Sequence, residues 1–178
     1  MIFTETKLPG AFVIDPEKFE DERGFFARCW SEEEFAARGL NPRLVETDLS
    51  VNLKEGTLRG MHFQIAPHAQ SKLVRCTAGA IYDVIIDLRP ESVTFKQWTA
   101  VELTAASHRQ IYIPEGFAHG FQTMAPDTEV LYQMSARYAA ESARGVRWND
   151  PAFSIDWLEC EGERTIIERD RQYPDFAG

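Results

Sequence analysis

The 178-residue sequence lacks a long apolar run: no stretch approaches the roughly 18 consecutive apolar residues that a membrane-spanning helix requires. Its first ten residues lack the basic segment followed by an apolar one that marks a secretory signal. Cysteine is also scarce. Cys29, Cys76 and Cys160 are odd in number, widely spaced and contain no CxxC pair, which argues against a disulfide framework and a zinc site. We therefore expect a cytoplasmic protein with reduced cysteines and no membrane partner.

Positive charge is in short supply as well. The chain has 19 lysines and arginines against 28 aspartates and glutamates, for a net charge of −9. This balance disfavours nucleic acid and anionic membranes as the main partner. A few arginines and lysines gathered in one pocket can still bind a diphosphate inside an acidic protein, so a phosphorylated small molecule is compatible with the composition.

Helix-forming patterns are rare. One short helix is predicted over residues 31–38, because Ser31 can cap it, Glu34 follows as in a capping box, and Gly39 can end it. The remaining chain is rich in Val, Ile, Tyr and Thr between turn residues, which predicts strands at residues 56–63, 71–76, 80–88, 97–103, 109–113 and 129–138. The length suits one domain, residues 1–178, and the pattern favours an all-β sandwich or jelly-roll barrel whose mouth can hold a small molecule.

Residues 114–119 have the form PxGxxH and resemble the second motif of cupin barrels, with His119 pointing inward. The first cupin motif usually supplies an HxH pair and a later glutamate for a metal ion. The matching stretch here, residues 60–64, has only His62, whereas a transition metal usually needs three or four ligands. We therefore expect a barrel without a metal cofactor. For an isolated histidine such as His62, a hydrogen-bonded core residue would be the simpler interpretation.

His62 has charged neighbours in the sequence. Strict alternation would place Arg59 and His62 on opposite strand faces, but a bulge at Gly60 would turn both inward. Lys72 and His119 could then share the same interior. Burying these groups together is unfavourable unless an anionic ligand accompanies them.

Six segments, in the same order, resemble the dTDP-4-dehydrorhamnose 3,5-epimerase family over nearly the whole chain. They are residues 21–26, 58–64, 72–75, 83–89, 113–121 and 148–151. The resemblance implies a jelly-roll cupin barrel with a short N-terminal helix and a C-terminal segment that closes the site. It also implies a homodimer, in which N-terminal parts contribute to the neighbour's site, and no cofactor.

The resemblance also assigns catalytic roles. In a 4-keto sugar the hydrogens on C3 and C5 lie beside a carbonyl, so their removal needs a base and a group that stabilises the enolate. His62 matches the base and Asp170 the carboxylate that orients it. Lys72 matches the lysine near the enolate, and Tyr132 matches the acid that returns a proton on the opposite face. Without the resemblance, Asp170 would be interpreted as an exposed tail residue and Tyr132 as ordinary strand packing.

Further residues match substrate contacts. Arg23 and Arg59 match diphosphate ligands, His119 and Arg169 match other substrate contacts, and Tyr138 matches an aromatic that stacks on the nucleotide base. Stacking tolerates any base, so Tyr138 does not indicate which one is bound.

The chain departs from the family at several binding positions. Family members commonly have Glu where it has Arg28, Gln and Asn where it has Glu46 and Asp48, and Glu where it has Ala143. A carboxylate only accepts hydrogen bonds, so Glu46 and Asp48 would suit a base with an exposed amino group, and Arg28 would suit one with a carbonyl oxygen. Guanine has both groups and cytosine meets the requirement in part, whereas thymine has no amino group. Alternatively, Arg28 forms an ion pair with Glu46 or Asp48 that replaces a family contact.

The sequence therefore predicts an epimerase that inverts C3 and C5 of a nucleotide-diphospho-4-keto-6-deoxy sugar, with dTDP as the family nucleotide. A C3-only epimerase and a GDP- or CDP-linked substrate remain alternatives within this class. A non-catalytic sugar-nucleotide-binding cupin is an alternative of another class, although the joint presence of His62, Lys72, Tyr132 and Asp170 argues against it.

Overall fold

The computed structural model describes residues 1–160 and 162–177, and strands dominate it. The elements are β1 (Ile2–Glu5), β2 (Phe12–Asp15), β3 (Lys18–Asp21), β4 (Gly24–Ala27), α1 (Glu32–Ala36), β5 (Glu46–Asn52), β6 (Leu58–Gln64), β7 (Lys72–Ala78), β8 (Ala80–Asp87), β9 (Trp98–Thr104), β10 (Gln110–Ile113), β11 (Phe117–Thr123), β12 (Thr128–Met134), β13 (Ala143–Gly145) and α2 (Glu168–Arg171). The predicted all-β class is confirmed.

Two antiparallel sheets form the barrel. The larger has the strand order β1-β2-β10-β7-β12-β5, the smaller has the order β13-β6-β11-β8-β9, and β3 and β4 form a separate hairpin. The inner faces of the two sheets meet in one apolar core, to which the larger sheet contributes Val74, Ile111 and Val130, and the smaller contributes Ile81, Ile85 and Phe121. This is the predicted jelly-roll arrangement.

The helix α1 lies inside the predicted range 31–38. The side chain of Ser31 accepts a hydrogen bond from the backbone N–H of Glu34, as a capping residue does. Gly39 has a φ of +71°, and the next N–H, that of Leu40, donates to the carbonyl of Phe35 and closes the helix end. The Phe35 side chain is buried against Tyr112 of β10, so the helix packs on the outside of the larger sheet.

Five of the six predicted strands differ from β6 to β10 by at most two residues at either end. The sixth prediction, residues 129–138, is too long, because the pairing of β12 with β5 and β7 stops at Met134. The sequence reading did not predict β1 to β5, β11, β13 or α2. Most of these elements are short or largely exposed, and β5 begins with three consecutive polar side chains (ETDLSVN), which hides the strand pattern.

The predicted bulge at Gly60 is present. His62 pairs with His119 and Arg59 pairs with Phe121, so two residues of β6 lie opposite Gly120 alone. Gly60 has a φ of +127°, and a Cβ atom at this position would lie 2.5 Å from the Cα of Gly120. Only glycine therefore fits, and the bulge turns Arg59 and His62 toward the same cavity.

The C-terminal segment returns across one end of the barrel, as predicted. The backbone N–H of Leu58 donates to the carbonyl of Thr165 at 2.9 Å. Farther on, the carboxylate of Asp150 accepts the N–H of Phe176 at 2.6 Å. These contacts hold α2, which lies between them in the chain, beside β6.

Candidate active site

A cavity of about 430 Å³ lies at this end of the barrel, within the range of small-molecule sites. Residues of β5, β6, β7, β11, β12 and the α2 region line it, so both sheets contribute walls. Eight of the residues predicted from the sequence line it: Asp48, Arg59, His62, Lys72, His119, Tyr132, Arg169 and Asp170.

His62 and Asp170 form a closely held pair. The His62 Nε2 lies 2.8 Å from Asp170 Oδ1, and the Asp170 side chain is 1% exposed. Asp170 Oδ2 also accepts the backbone N–H of Gly60, and Oδ1 accepts Nε of Arg169. Burial tends to raise the pKa of Asp170, but the hydrogen bonds and the charge of His62 outweigh burial and lower it.

An ionised Asp170 fixes the chemistry of the imidazole. A carboxylate can only accept, so the Nε2 of neutral His62 carries the hydrogen and its Nδ1 keeps a lone pair. The ring remains one-third exposed. His62 can therefore accept a proton from a ligand in the cavity, and Asp170 can stabilise the resulting imidazolium.

Lys72 and Tyr132 reach the cavity from the larger sheet, opposite His62. The Lys72 ammonium donates to the carbonyl oxygen of His62 at 3.2 Å. Burial lowers the pKa of Lys72 to about 8, and the charge of Asp83 opposes this shift. Burial raises the pKa of Tyr132 strongly, so its phenol keeps its proton at neutral pH and can give it up only to a strong base such as an enolate carbon.

His119 and Asp83 form a second buried pair, and sequence reasoning missed Asp83. His119 Nε2 lies 2.8 Å from Asp83 Oδ2, and both residues are less than 5% exposed. Burial lowers the pKa of His119, although Asp83 works against that shift. The alternation of side chains along β8 could have indicated it, because Asp83 falls on the same strand face as Ile81 and Ile85, which enter the core.

The base-recognition candidates lie partly outside the main cavity. Tyr138 lines an adjoining space of about 190 Å³ together with His62, Lys72 and Ala143, which stands where family members commonly have Glu. Glu46 does not line either space; its carboxylate accepts the backbone N–H of Tyr138 at 2.9 Å. Of the two acidic departures, only Asp48 therefore faces the cavity.

Arg23 and Arg28 lie away from this cavity. Arg23 is in the turn of the β3–β4 hairpin, where its side chain is 85% exposed and pairs with Asp21 at 2.5 Å. Arg28 lies 3.3 Å from Glu34 in the first turn of α1. Within the described residues, Arg28 therefore pairs with Glu34 rather than with Glu46 or Asp48, since the helix that follows supplies a nearer carboxylate.

Tyr173 is a second residue that the sequence did not indicate. Its ring centroid lies 6.3 Å from that of His62, in the adjoining space. A methyl group at Gly145, which pairs with His62 across β13 and β6, would overlap the Tyr173 ring.

Within residues 1–160 and 162–177, no group of three histidines, cysteines or acids is arranged to hold a metal ion. The same residues include no helix long and apolar enough to cross a membrane.

The fold and the cavity together define a class: a cupin-type barrel with the acid–base groups of an isomerase at its mouth. The chain belongs to the dTDP-4-dehydrorhamnose 3,5-epimerase family, whose model matches residues 5–178. This confirms the family resemblance seen in the sequence.

Individual relatives agree with this assignment. The dTDP-4-dehydrorhamnose 3,5-epimerase of Sinorhizobium fredii is 42% identical over 177 residues, covering 99% of this chain and 90% of the relative. A Bacillus anthracis dTDP-4-dehydrorhamnose 3,5-epimerase, solved with TDP and PPi bound, is 40% identical with a TM-score of 0.92 and covers 98% and 99% of the two chains. A Legionella pneumophila epimerase in complex with dTDP-4-keto-L-rhamnose is 34% identical with a TM-score of 0.87, over 95% of this chain and 89% of that one.

Proposed function

We propose that this protein epimerises C3 and C5 of a dTDP-linked 4-keto-6-deoxy sugar. The observation that carries the proposal is the placement of His62 and Tyr132. His62 lies on β6 of the smaller sheet and Tyr132 on β12 of the larger one, and both line one cavity. An inversion needs a proton acceptor and a proton donor on opposite faces of the same carbon, which two facing walls can supply.

The first half of the reaction uses His62. Its Nδ1 takes the hydrogen from the carbon beside the ketone, and the electron pair of the C–H bond moves into the enolate. Asp170, hydrogen-bonded to Nε2, stabilises the imidazolium that forms. The negative charge develops on the former ketone oxygen, where the buried Lys72 ammonium provides the compensating charge.

The second half uses Tyr132. Its phenol gives a proton to the enolate carbon from the other wall, so that the centre inverts. The resulting phenolate takes a proton from solvent, and the His62 imidazolium releases its proton to solvent. Each inverted carbon therefore exchanges its hydrogen with water. The same groups serve C3 and C5 in turn, because both carbons flank one ketone and share one enolate oxygen.

The geometry and the comparisons favour dTDP as the nucleotide. The preference for guanine considered above depended on Arg28, Glu46 and Asp48 acting together on the base. Arg28 is paired with Glu34, and Glu46 with the backbone of Tyr138. Of these three residues, only Asp48 lines the cavity. A single hydrogen-bond acceptor does not distinguish guanine from thymine. Relatives of this chain were solved with TDP and with a dTDP sugar.

A homodimer is part of this proposal. The β3–β4 hairpin projects Phe19 and Phe26, which are 63% and 75% exposed, and carries Arg23 away from its own cavity. An exposed apolar hairpin of this kind gains stability when a second surface covers it. If Arg23 binds the diphosphate, as the family resemblance implies, the site it serves belongs to a second copy of this chain.

A cytoplasmic location is the last part of the proposal. Cys29, Cys76 and Cys160 are all free thiols, which suits a reducing compartment.

The proposal is tested by incubating the protein with a dTDP-linked 4-keto-6-deoxy sugar in D₂O and following C3 and C5 by NMR. We expect deuterium at both carbons together with products of inverted configuration. Exchange at C3 alone would establish the C3-only alternative. Tight dTDP binding with no exchange at either carbon would establish the non-catalytic alternative and refute the proposed function.

A further inference from the structure

Asp83 is a buried carboxylate for which the reaction described above has no use. It lies in the middle of β8, is 0% exposed, and is flanked on its own strand face by the core residues Ile81 and Ile85. One oxygen, Oδ2, contacts His119 Nε2 at 2.8 Å. The other, Oδ1, is buried and has no hydrogen-bond partner within the described part of the chain.

A buried oxygen without a partner is rare in a folded protein and calls for a physical reason. The apolar residues beside Asp83 give none, since they offer a carboxylate neither a hydrogen-bond donor nor a compensating charge. The reason has to lie on the side of the cavity, where the charged groups are.

The surroundings of Asp83 on that side are rich in titratable groups. They come from every wall of the cavity: Asp48 on β5, Arg59 and His62 on β6, Lys72 on β7, His119 on β11, Tyr132 on β12, and Arg169 and Asp170 on α2. Three of them respond to the charge of Asp83, which favours the protonated forms of Lys72, His119 and Tyr132. Burial is the main cause of the pKa shift in all three, and in Lys72 and His119 the charge of Asp83 opposes it.

We propose that Asp83 is a positioning residue of the epimerase site, whose carboxylate holds Lys72 as an ammonium ion and orients the ring of His119. This inference rests on the proposed function, because the ammonium is needed to stabilise the enolate. Asp83 itself does not touch the reacting carbons. It acts through Lys72 and His119, which line the cavity.

The contact with His119 has a defined consequence. Since the carboxylate of Asp83 only accepts, the Nε2 of neutral His119 carries the hydrogen. The Nδ1 of the same ring is then left as an acceptor. An acceptor at this place can receive a hydrogen bond from a sugar hydroxyl, whereas a ring of the other tautomer would present a donor.

The effect on Lys72 follows from charge alone. Burial lowers the pKa of Lys72 to about 8 even though Asp83 raises it. Among the described residues, Asp83 is the charge that raises the pKa of Lys72, so this pKa should fall further when the carboxylate is removed. Each unit of that fall reduces the ammonium fraction above the pKa by about tenfold.

The experiment compares wild type with Asp83→Asn, which keeps the size of the side chain and removes the charge. The first measurement needs no activity. The chain has five lysines, so ¹³C–¹⁵N NMR of labelled lysine side chains can follow each titration, and a Lys72→Ala sample identifies the Lys72 signal. We expect Lys72 to titrate near pH 8 in wild type and at clearly lower pH in Asp83→Asn.

The second measurement is the pH profile of kcat/KM. The active form needs the Lys72 ammonium, so wild-type kcat/KM should fall as pH rises through about 8. In Asp83→Asn this decline should begin at lower pH, with a loss on the order of tenfold at pH 8 for each unit by which the pKa of Lys72 falls. Asp83→Glu, which keeps the charge, should restore much of the wild-type profile.

Asp15→Asn is the matched control, because it makes the same change at a carboxylate paired with Arg109 on the larger sheet, away from the cavity. It should leave both the Lys72 titration and the pH profile in place. If Asp83→Asn does not fold, Asp83→Ser, which is smaller and leaves space for water, takes its place in both measurements.

A purely structural role for Asp83 gives a different result. In that case Asp83→Asn would lower the unfolding temperature while Lys72 titrated as in wild type, and the inference would be overturned. Absence of epimerisation in the wild type would instead refute the proposed function. The NMR titration would still decide whether Asp83 controls Lys72.

Discussion

Asp170→Asn tests the His62–Asp170 pair most severely, because it changes the charge and leaves the shape of the side chain almost unaltered. In the wild type, Oδ1 of Asp170 accepts from His62 and Arg169, and Oδ2 accepts from the N–H of Gly60. An asparagine has only one accepting oxygen. Whichever way its amide turns, an NH₂ group faces another donor.

The size of the effect follows from these contacts. If the amide oxygen takes the place of Oδ1, the imidazole keeps its orientation but loses a charge-assisted hydrogen bond, worth about 1.5–3 kcal/mol. Because about 1.4 kcal/mol is a factor of ten in rate, kcat/KM should fall by roughly 10- to 150-fold. If the amide oxygen instead takes the place of Oδ2, the NH₂ group faces His62 Nε2, the ring adopts the other tautomer, and the loss is larger.

The assay is deuterium incorporation at C3 and C5, measured beside the affinity for dTDP. The affinity for dTDP should stay within a few-fold of wild type, since Asp170 acts on the proton-abstracting residue His62. Asp175→Asn is the control, a matching change in the same C-terminal segment at a side chain that is 66% exposed. If Asp170→Asn kept kcat/KM within threefold of wild type, Asp170 would not orient the base.

Three further outcomes are expected. His62→Ala should reduce deuterium incorporation by at least the 10²- to 10⁴-fold typical of a general base while dTDP binding survives, and normal exchange in this variant would remove His62 from the mechanism. Exhaustive chelation should leave activity unchanged, whereas activity that disappears with the chelator and returns with one divalent metal would overturn the metal-free prediction. Gly60→Ala should lower the free energy of unfolding by about 3 kcal/mol or more in urea, because backbone strain at its positive φ adds to the overlap of the new methyl group with Gly120. Gly24→Ala is the control. Gly24 has the same φ of +127° but no neighbour within 4 Å, so this variant should show the cost of the strain alone.

The parts of the fold that the sequence predicted are those where local pattern and burial agree. β8 is rich in Ile, Val and Tyr, with Asp83 in its middle, and is buried over most of its length. The helix α1 carries its own capping residue and its own terminating glycine. β5 was missed, because it lies at a sheet edge and five of its seven side chains are polar. Edge strands depend on their neighbour more than on their own composition.

The site shows the same division between local and distant information. Gly60 indicated the bulge, since a glycine inside a strand pattern marks such a position. Asp170, in contrast, is 108 positions from His62 in the chain and sits among charged residues that read as an exposed tail. Its burial depends on the return of the C-terminal segment over β6, and residue pattern alone does not encode that path. Only the family resemblance indicated its role.

The central claim is that His62 and Tyr132 act on one carbon from opposite walls of the cavity. Tyr132→Phe tests it most directly, because it keeps the ring and removes the proton that the second wall supplies. The measurement is the ratio of deuterium incorporation to net inversion at C3 and C5 in D₂O. We predict that incorporation persists better than inversion, since the enolate still forms at His62 but collapses back to the starting configuration. Equal loss of incorporation and inversion would contradict the account and assign Tyr132 to binding or to enolate formation.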